Sequence, residues 1–431
     1  MKKCWLALVL LVLQLGVVPS LAAGAPALKV GVARIDITPQ DPVQMSGYAS
    51  RKDLSTGVHD PLTARALVFE INGSQLAFVT TDLIGFYGGT AEPLREAIIA
   101  RTGLPPAALF LSAIHTHAGP TPTLDAEKSH ANNVKYTKGL IEKLPGLVAS
   151  AIENLQPATV AVGVGSSPVG ANRRELRINA KSESSIVLGR NPYGPTDKEV
   201  LVLRILKEDG KPLAVAFDYA THATSLGPQN YIISGDVLGL AEQVIEKITD
   251  SGAVAAAFAG ASGNIDPWYR ILPGFNTEPG WTPEPVLLGT LLGQEVVHVY
   301  RKAAEPQTID QIRTALKVIE LPAKPPAAGS TEPAVDRLPY VITAARLGDQ
   351  GFIGLGGEVL TEIGMAIKAG SPFRHTFVIT HCNGAAGYLA PRHLFVEGGY
   401  EVQTTRFTPD AAQIVVKESL RLLHSLKPVG E

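Results

Sequence analysis

Residues 109–122 read LFLSAIHTHAGPTP, an apolar run that ends in His115 and His117 and is then interrupted by a Gly-Pro pair. Such a run predicts a strand buried on both faces, and α/β proteins place their sites at the carboxyl ends of these strands. Because successive strand side chains point to opposite faces, we expect His115 and His117 to share a face. Two imidazoles that converge on a cleft favour a zinc site. A pair of hydrogen-bonded interior histidines is the alternative.

Two later apolar segments end in the same way. Residues 212–219 predict a strand that leads into His222, and residues 254–258 predict one that leads into a Gly-rich turn with Asp266. We expect these residues to lie at corresponding ends of neighbouring strands, where they can meet in one site. The recurrence therefore favours a metal centre over isolated buried histidines.

Strands and helices alternate along the rest of the chain. A hairpin is predicted at residues 64–82 around an Asn-Gly turn, and helices are predicted at 90–101 and 136–154. Residues 172–198 are polar and rich in arginine, so we expect a loop there. The pattern predicts an α/β fold of mixed β-sheets flanked by helices.

The N-terminus has the features of an export signal. Two lysines precede an apolar run at residues 5–18, and small residues at 20–23 suit cleavage. We therefore expect a signal peptide at residues 1–23, a secreted or periplasmic location and one mature domain at 24–431. A retained membrane anchor is the alternative. Residues 322–334, rich in Pro and Ala, are a candidate internal linker.

Composition limits the possible partners. The 431 residues carry a net charge of −2, and 45% are hydrophobic while 18% are charged, which is typical of a folded globular protein. The near-neutral charge argues against a nucleic-acid partner and allows at most peripheral membrane contact. Once the signal is removed, Cys382 is the one cysteine left, so no intrachain disulfide is expected. The sequence does not indicate the oligomeric state.

A set of short motifs runs along the chain in a characteristic order. Each is weak alone, but together they resemble the neutral (non-lysosomal) ceramidases, which are secreted or surface zinc amidases. The resemblance extends from Val30 to Phe407. In chain order the motifs are Val30–Pro39 (VGVARIDITP), Gly47-Tyr48, Gly57-Val58-His59, His115–Pro120 (HTHAGP), Asn172-Arg173, Thr196–Glu199 (TDKE), Ser234-Gly235-Asp236, Gly357-Glu358, Gly387-Tyr388 and Tyr400-Glu401.

The resemblance implies four zinc ligands. These are His115, His222, Glu358 and Tyr388. Two imidazoles and a carboxylate suit Zn²⁺, and a weakly bound phenol leaves room for water. From the residues alone, Glu358 could instead cap a helix predicted at residues 357–368, and Tyr388 could simply pack in the core.

The resemblance also implies catalytic roles near the ion. His117 would contact a ligand or the substrate, Arg173 would hold a polar part of the substrate, and Tyr400 would donate a hydrogen bond to the developing oxyanion. The implied activity is hydrolysis of an amide bond in a small-molecule or lipid substrate, such as a ceramide-like N-acyl compound, by zinc-activated water.

One position departs from the ceramidase pattern. The ceramidases have Gly-Asp-Val-Ser-Pro, with a serine often named the nucleophile, where residues 263–267 read GNIDP. Asp266 stands at the serine position, where it can accept a proton from zinc-bound water or add a metal ligand. We expect direct attack by activated water, with Asp266 or His117 as the base.

A second departure concerns length. The ceramidases carry a β-sandwich domain after the catalytic domain, and we expect none here because the sequence ends after one further predicted helix. The changed serine alters the expected mechanism, and both departures bear on the identity of the substrate, because a resemblance in fold and motifs supports hydrolase chemistry more than a particular substrate. The alternatives are an esterase or other metal hydrolase that acts on a non-sphingolipid substrate, and a non-catalytic metal-containing binding protein.

Overall fold

The computed structural model describes residues 28–249, 252–268, 283–326 and 334–427. The expected signal peptide and most of the candidate linker lie outside these residues. The strands are β1 (Lys29–Asp36), β2 (Gly57–Val58), β3 (Thr63–Ile71), β4 (Ser74–Thr81), β5 (Leu109–Ala113), β6 (Gln156–Ser166), β7 (Gly170–Ile178), β8 (Ser184–Asn191), β9 (Glu199–Lys207), β10 (Pro212–Tyr219), β11 (Ile232–Ile233), β12 (Val254–Ala259), β13 (Ile265–Pro267), β14 (Ile312–Pro322), β15 (Arg337–Leu347), β16 (Gln350–Leu355), β17 (Glu358–Val359), β18 (His375–Ile379) and β19 (Tyr388–Leu389). The helices are α1 (Ala91–Thr102), α2 (Ala131–Glu153), α3 (Asp236–Thr249), α4 (Pro283–Lys302), α5 (Thr361–Gly370), α6 (Leu394–Glu397), α7 (Tyr400–Thr404) and α8 (Ala411–Ser425), with a 3-10 turn at Pro106–Ala108.

Two sheets form the framework. The larger has the order β12-β10-β9-β6-β1-β3-β4-β5, and the smaller has the order β14-β15-β16-β18. The pairs β4–β5, β10–β12 and β16–β18 are parallel, whereas the remaining pairs of these two sheets are antiparallel. Helix α2 packs beside β1 and β3, and α1 packs against α2 and β5. Helices α3 and α4 pack beside β12 and β9, and α5 and α8 pack on the smaller sheet. The predicted α/β fold of mixed sheets flanked by helices is confirmed.

The two edges of the larger sheet approach each other around an aromatic core. The ring of Phe78 in β4 lies 5.3 Å from that of Phe258 in β12 and 4.9 Å from that of Phe352 in the smaller sheet. All three side chains are buried. Burial of each such ring stabilises the fold by about 2–3 kcal/mol. The core therefore holds the edge strands and the smaller sheet together.

This curvature also brings the ends of β5 and β10 together. Strands β9, β6, β1, β3 and β4 lie between them in the hydrogen-bonded order, so the expectation that they are neighbours is wrong. Just past the two strand ends, however, Thr116 and Ala223 form a parallel bridge. The two histidine-bearing segments meet across the gap between the edges, and β12 lies directly beside β10 as expected.

Two local predictions are wrong. The segment expected to be a loop at residues 172–198 contains the antiparallel ribbon β7–β8, in which Leu176 pairs with Ile186. Alternation of apolar and polar residues from Leu176 to Ile178, and the apolar run from Ile186 to Leu188, are the signals that the charged composition hid. Glu358 does not open a helix, because it lies in the short strand β17 and α5 begins only at Thr361.

The strands on either side of the candidate linker belong to one sheet. Strands β14 and β15 pair without interruption from Ile312 opposite Leu347 to Pro322 opposite Arg337. Among the described residues, no helix has the length and apolar content needed to cross a bilayer.

A buried carboxylate links β10 to β18 and α5. The carboxyl of Asp218 is 1% exposed, and its Oδ2 accepts a hydrogen bond from the backbone N–H of Val378 at 3.0 Å. The ammonium of Lys368 lies 3.8 Å from the same oxygen. Burial raises the pKa of Asp218 to about 7, against the opposing charge of Lys368. Ionisation of Asp218 in the interior therefore lowers the free energy of unfolding.

We predict that Asp218→Asn changes how stability depends on pH. Native Asp218 keeps its proton up to about pH 7, whereas an unfolded aspartate loses it near pH 4. The native state thus binds more protons in this window, and the group lowers the free energy of unfolding as pH rises. The stability of the variant relative to wild type should rise by up to about 4 kcal/mol across the window.

Urea unfolding between pH 4.5 and 7.5 measures this difference. The exposed acid Asp53 offers the control Asp53→Asn, which should leave the pH dependence unchanged. A difference between Asp218→Asn and wild type that stays constant with pH would contradict the prediction.

Candidate metal centre

The first pair of histidines lies just after β5 rather than in it. The strand ends at Ala113, and His115 has a φ of 63°, in the left-handed region that side chains rarely adopt. The strand-alternation argument is therefore wrong for His115 and His117. Their rings still converge, with 3.2 Å between the two Nε2 atoms and an angle of 87° between the ring planes.

Backbone carbonyls orient two of the imidazoles. The Nδ1–H of His115 donates to the carbonyl of Ile84 at 2.7 Å, and that of His222 donates to the carbonyl of Ser262 at 2.8 Å. A carbonyl only accepts, so Nδ1 carries the proton in both rings and Nε2 presents a lone pair. The ring centroids lie 4.7 Å apart. Such carbonyl contacts are typical of histidines that ligate metals.

Glu358 completes this arrangement from β17. Its Oε2 lies 3.4 Å from the Nε2 of His115 and 3.7 Å from the Nε2 of His222. Within the described part of the chain this buried oxygen has no hydrogen-bond partner. A buried anionic oxygen without a donor is costly. Because it faces two imidazole lone pairs, a divalent cation is the group that would satisfy all three atoms.

Electrostatics favour the ligand-competent forms. Burial lowers the pKa of His222, and Arg173 lowers it further. This imidazole is thus neutral near pH 7, which is the state that binds metal ions.

His117 is a third imidazole beside the same position. The potential donor atoms of His115, His117 and His222 all lie within 4.8 Å of one another, so these three residues could hold a metal ion. Burial and the two neighbouring imidazoles hold the pKa of His117 well below its usual value. The ring is therefore a neutral proton acceptor next to the candidate ion.

The loop before β2 fixes the position of His117. Gly47 has a φ of 91°, and a Cβ on it would lie only 2.1 Å from the Nδ1 of His117. The ring of Tyr48 meets the imidazole edge-on at 5.1 Å. The guanidinium of Arg51 donates a hydrogen bond to the backbone carbonyl of His117. Glycine at position 47 is thus required both by the backbone and by the close approach of the ring.

Arg173 on β7 connects the other predicted residues. It donates to the Oδ1 of Asp266 at 3.1 Å, to the phenol oxygen of Tyr388 at 3.0 Å and to the Oε1 of Glu401 at 2.7 Å. Its Nη1 also lies 3.3 Å from the Nε2 of His222. The buried guanidinium therefore fixes groups from four separate segments around the candidate ion.

Tyr388 lies opposite Glu358. The two residues are partners in the parallel pair β17–β19. Burial raises the pKa of Tyr388 well above its usual value, and the charge of Glu358 adds to this effect. The phenol is 8% exposed and its ring packs edge-on against that of Tyr400, with centroids 5.7 Å apart.

Asp266 lies between two arginines. Its Oδ1 accepts from Arg173, and its Oδ2 lies 3.3 Å from the Nη1 of Arg190. The residue is 3% exposed and belongs to the short strand β13, which pairs with β7. The carboxylate is therefore held in place in the wall of the site, at the position where sequence comparison expected a reactive group.

A cavity of about 250 Å³ opens onto these residues. Its lining includes all four residues predicted to act in catalysis and the phenol of Tyr388; the four are His117, Arg173, Asp266 and Tyr400. Tyr400 lies at the rim with 43% of its surface exposed. The structure thus brings every sequence-predicted residue to one place, with His115, His222 and Glu358 around the candidate ion and the others around the cavity.

Sequence reasoning missed two residues of this site. The imidazole of His381 stacks on that of His115, with 3.9 Å between centroids and 13° between planes. It follows the end of β18 just as His115 follows β5, so the same strand-end signal would have found it. Tyr87 donates from its phenol to the Oε1 of Glu358 at 2.8 Å. Nothing in the sequence marks this tyrosine.

Comparison with known proteins assigns the class. Residues 28–267 match the family described as neutral/alkaline non-lysosomal ceramidase, N-terminal. The match covers more than half of the chain, so the chain belongs to this family, and the resemblance predicted from the motifs is confirmed.

Particular relatives are similar over the same part of the chain. The neutral ceramidase of Oryza sativa subsp. japonica is 29% identical over 255 residues, which is 57% of this chain and 32% of that protein. The neutral ceramidase of Pseudomonas aeruginosa is 27% identical over 261 residues, which is 57% of this chain and 38% of that protein. The matched segment thus spans about a third of the length of each relative.

A solved structure has the same architecture. The crystal structure of neutral ceramidase from Pseudomonas aeruginosa superposes with a TM-score of 0.76 and covers 94% of this chain and 76% of that chain. The identity in this comparison is 19%. The likeness therefore shows a shared fold.

We predict that the purified protein binds about one divalent ion per chain and that His222→Ala lowers the affinity at least roughly 100-fold. The variant removes one of the two nitrogens that face the Oε2 of Glu358. Metal analysis after dialysis against a range of free zinc concentrations measures the affinity. The exposed His424 of α8 provides the control His424→Ala, which should bind as wild type does. Equal affinity in both variants would show that His222 is not a ligand.

Proposed function

We propose that this chain is a zinc-dependent amidohydrolase that cleaves the amide bond of an N-acyl lipid such as ceramide. One observation carries the proposal: the buried Oε2 of Glu358 has no hydrogen-bond partner among the described residues and faces the Nε2 atoms of His115 and His222 beside a polar cavity. Membership of the ceramidase family supports the same reaction class. The signal peptide expected at residues 1–23 would place the enzyme outside the cytoplasm.

The proposed ligands are His115, His222, Glu358 and Tyr388. Two imidazole nitrogens with a carboxylate and a phenol oxygen suit zinc in preference to the harder ions that take oxygen ligands alone. Arg173 would hold the oxygen of Tyr388 at the site. When bound, the ion would lower the pKa of a water molecule and polarise the scissile carbonyl.

Residues of the cavity would move the protons and stabilise the charge. Asp266 or His117 would accept a proton from the attacking water, because both line the cavity. Tyr400 at the rim would donate a hydrogen bond to the oxygen that becomes negative. The positive charge of Arg173, whose Cζ lies 5.6 Å and 5.8 Å from the ring centroids of Tyr388 and Tyr400, would stabilise the same oxygen.

The surface beside the cavity suits an acyl chain. Leu188 lines the cavity, and it lies on the same face of the ribbon β7–β8 as Leu176 and Ile178. These three side chains are 43%, 61% and 68% exposed. Contiguous exposed apolar residues are typical of a binding surface. We therefore place the scissile amide in the cavity and the acyl chain along the ribbon.

We predict that the protein hydrolyses a fluorogenic N-acyl amide and ceramide, and that a chelator removes at least 99% of this turnover. Loss follows because none of the described residues that line the cavity can polarise the carbonyl as strongly as a divalent ion. Added zinc should restore the rate. Matching esters in the same assay distinguish an esterase, and His222→Ala serves as the variant without a complete site. Amide turnover that survives the chelator would contradict zinc catalysis, and a protein that binds zinc without turnover would be a binding protein.

We predict that Asp266→Asn lowers kcat 100-fold or more without changing the metal content. The amide keeps the shape of the carboxylate and an acceptor for Arg173, but it cannot take a proton. A matched change at Asp41, a half-exposed acid that does not line the cavity, should leave kcat unchanged when it is made as Asp41→Asn. Turnover by Asp266→Ala at the wild-type rate would remove Asp266 from this role, and the same measurement on His117→Gln would then test the second candidate base.

A further inference from the structure

One turn of the chain contacts two of the proposed ligands. The segment between β4 and α1 presents the carbonyl of Ile84 to the Nδ1–H of His115 and the phenol of Tyr87 to the Oε1 of Glu358. His115 follows β5 of the larger sheet, whereas Glu358 lies far along the sequence in β17, which pairs with β19. The turn therefore helps to fix the distance and orientation between the imidazole of His115 and the carboxylate of Glu358.

The local sequence builds this turn closely around the site. Gly85 has a φ of 143°, and a Cβ on it would lie 3.0 Å from the ring of Tyr87 and 3.5 Å from the Nδ1 of His381. The buried ring of Phe86 anchors the turn in the core. The hydroxyl of Thr90 donates to the carbonyl of Tyr87 at 2.8 Å and holds it at the start of α1. Residues before and after Tyr87 in the sequence thus fix the position of its phenol.

We infer that Tyr87 is a positioning residue of the metal centre, because its hydrogen bond holds one oxygen of Glu358 so that the other faces the two imidazoles. This inference rests on the proposed function. The terminal torsion of a glutamate is broad, so a free carboxylate samples many orientations. A phenol at 2.8 Å from Oε1 selects one of them. With Oε1 occupied, Oε2 is the oxygen left to meet the Nε2 atoms of His115 and His222.

Tyr87→Phe tests this role because it removes the donor and keeps the ring that packs beside Gly85. Cobalt(II) is the probe, since its visible spectrum reports the ligand geometry as well as the binding constant. We expect Tyr87→Phe to bind cobalt 10- to 100-fold more weakly than wild type and to show an altered visible spectrum.

Tyr136→Phe is the matched control. Like Tyr87, Tyr136 makes one part-buried phenol hydrogen bond, to the carbonyl of Ile37, and it lies on α2 away from the site. This variant should bind cobalt with the wild-type constant and spectrum. If Tyr87→Phe matches Tyr136→Phe in both measurements, Tyr87 has no positioning role and the inference is overturned.

A double-mutant cycle in the metal-free protein tests the contact itself. Urea unfolding of Tyr87→Phe, Glu358→Ala and the double variant should show a coupling of about tenfold in the unfolding equilibrium constant. Absence of coupling would overturn the inference even if metal binding were weakened. A wild-type protein that binds no cobalt or zinc would instead refute the metal centre, and with it any role of Tyr87 in positioning a ligand. The two failures are therefore distinguishable.

Discussion

A buried carboxylate that faces two imidazoles is the interaction on which the site depends. Glu358 is 8% exposed, so its negative charge is tolerated only if neighbouring groups stabilise it. The rings of His115 and His222 point their Nε2 atoms at one of its oxygens because backbone carbonyls hold their Nδ1 atoms. The anionic oxygen and the two lone pairs repel one another, so a cation between them is the group that would stabilise all three. The surrounding residues are arranged around this triangle rather than around the cavity.

The fold supplies the triangle by closing a curved sheet. Strands β5 and β10 are far apart in the hydrogen-bonded order, yet the bridge between Thr116 and Ala223 joins the segments that follow them. Glu358 lies in β17, which follows β16 of the smaller sheet and pairs with β19. The aromatic core between the sheets therefore positions the site indirectly, because it keeps the three sources of ligands at a fixed separation.

Elements that follow a local sequence pattern could be predicted from the sequence, whereas contacts between residues far apart along the chain could not. Apolar runs that end in polar turns predicted β5, β10 and β12, and the ordered motifs pointed to the residues that the structure brings together. The alternation argument for His115 and His117 failed because the strand ends at Ala113, before either histidine. Tyr87 was missed because its partner is Glu358, 271 positions away, and no local pattern records such a pair.

The left-handed backbone at His115 has a cost beyond the site itself. A non-glycine residue in this conformation is disfavoured by about 1–2 kcal/mol, and His381, which stacks on it, has a φ of 50° as well. Glycine or asparagine would relax the chain at either position but would remove an imidazole. Selection for thermal stability alone would therefore act against these two residues, and their presence indicates that folding free energy has been given up where the chemistry is placed.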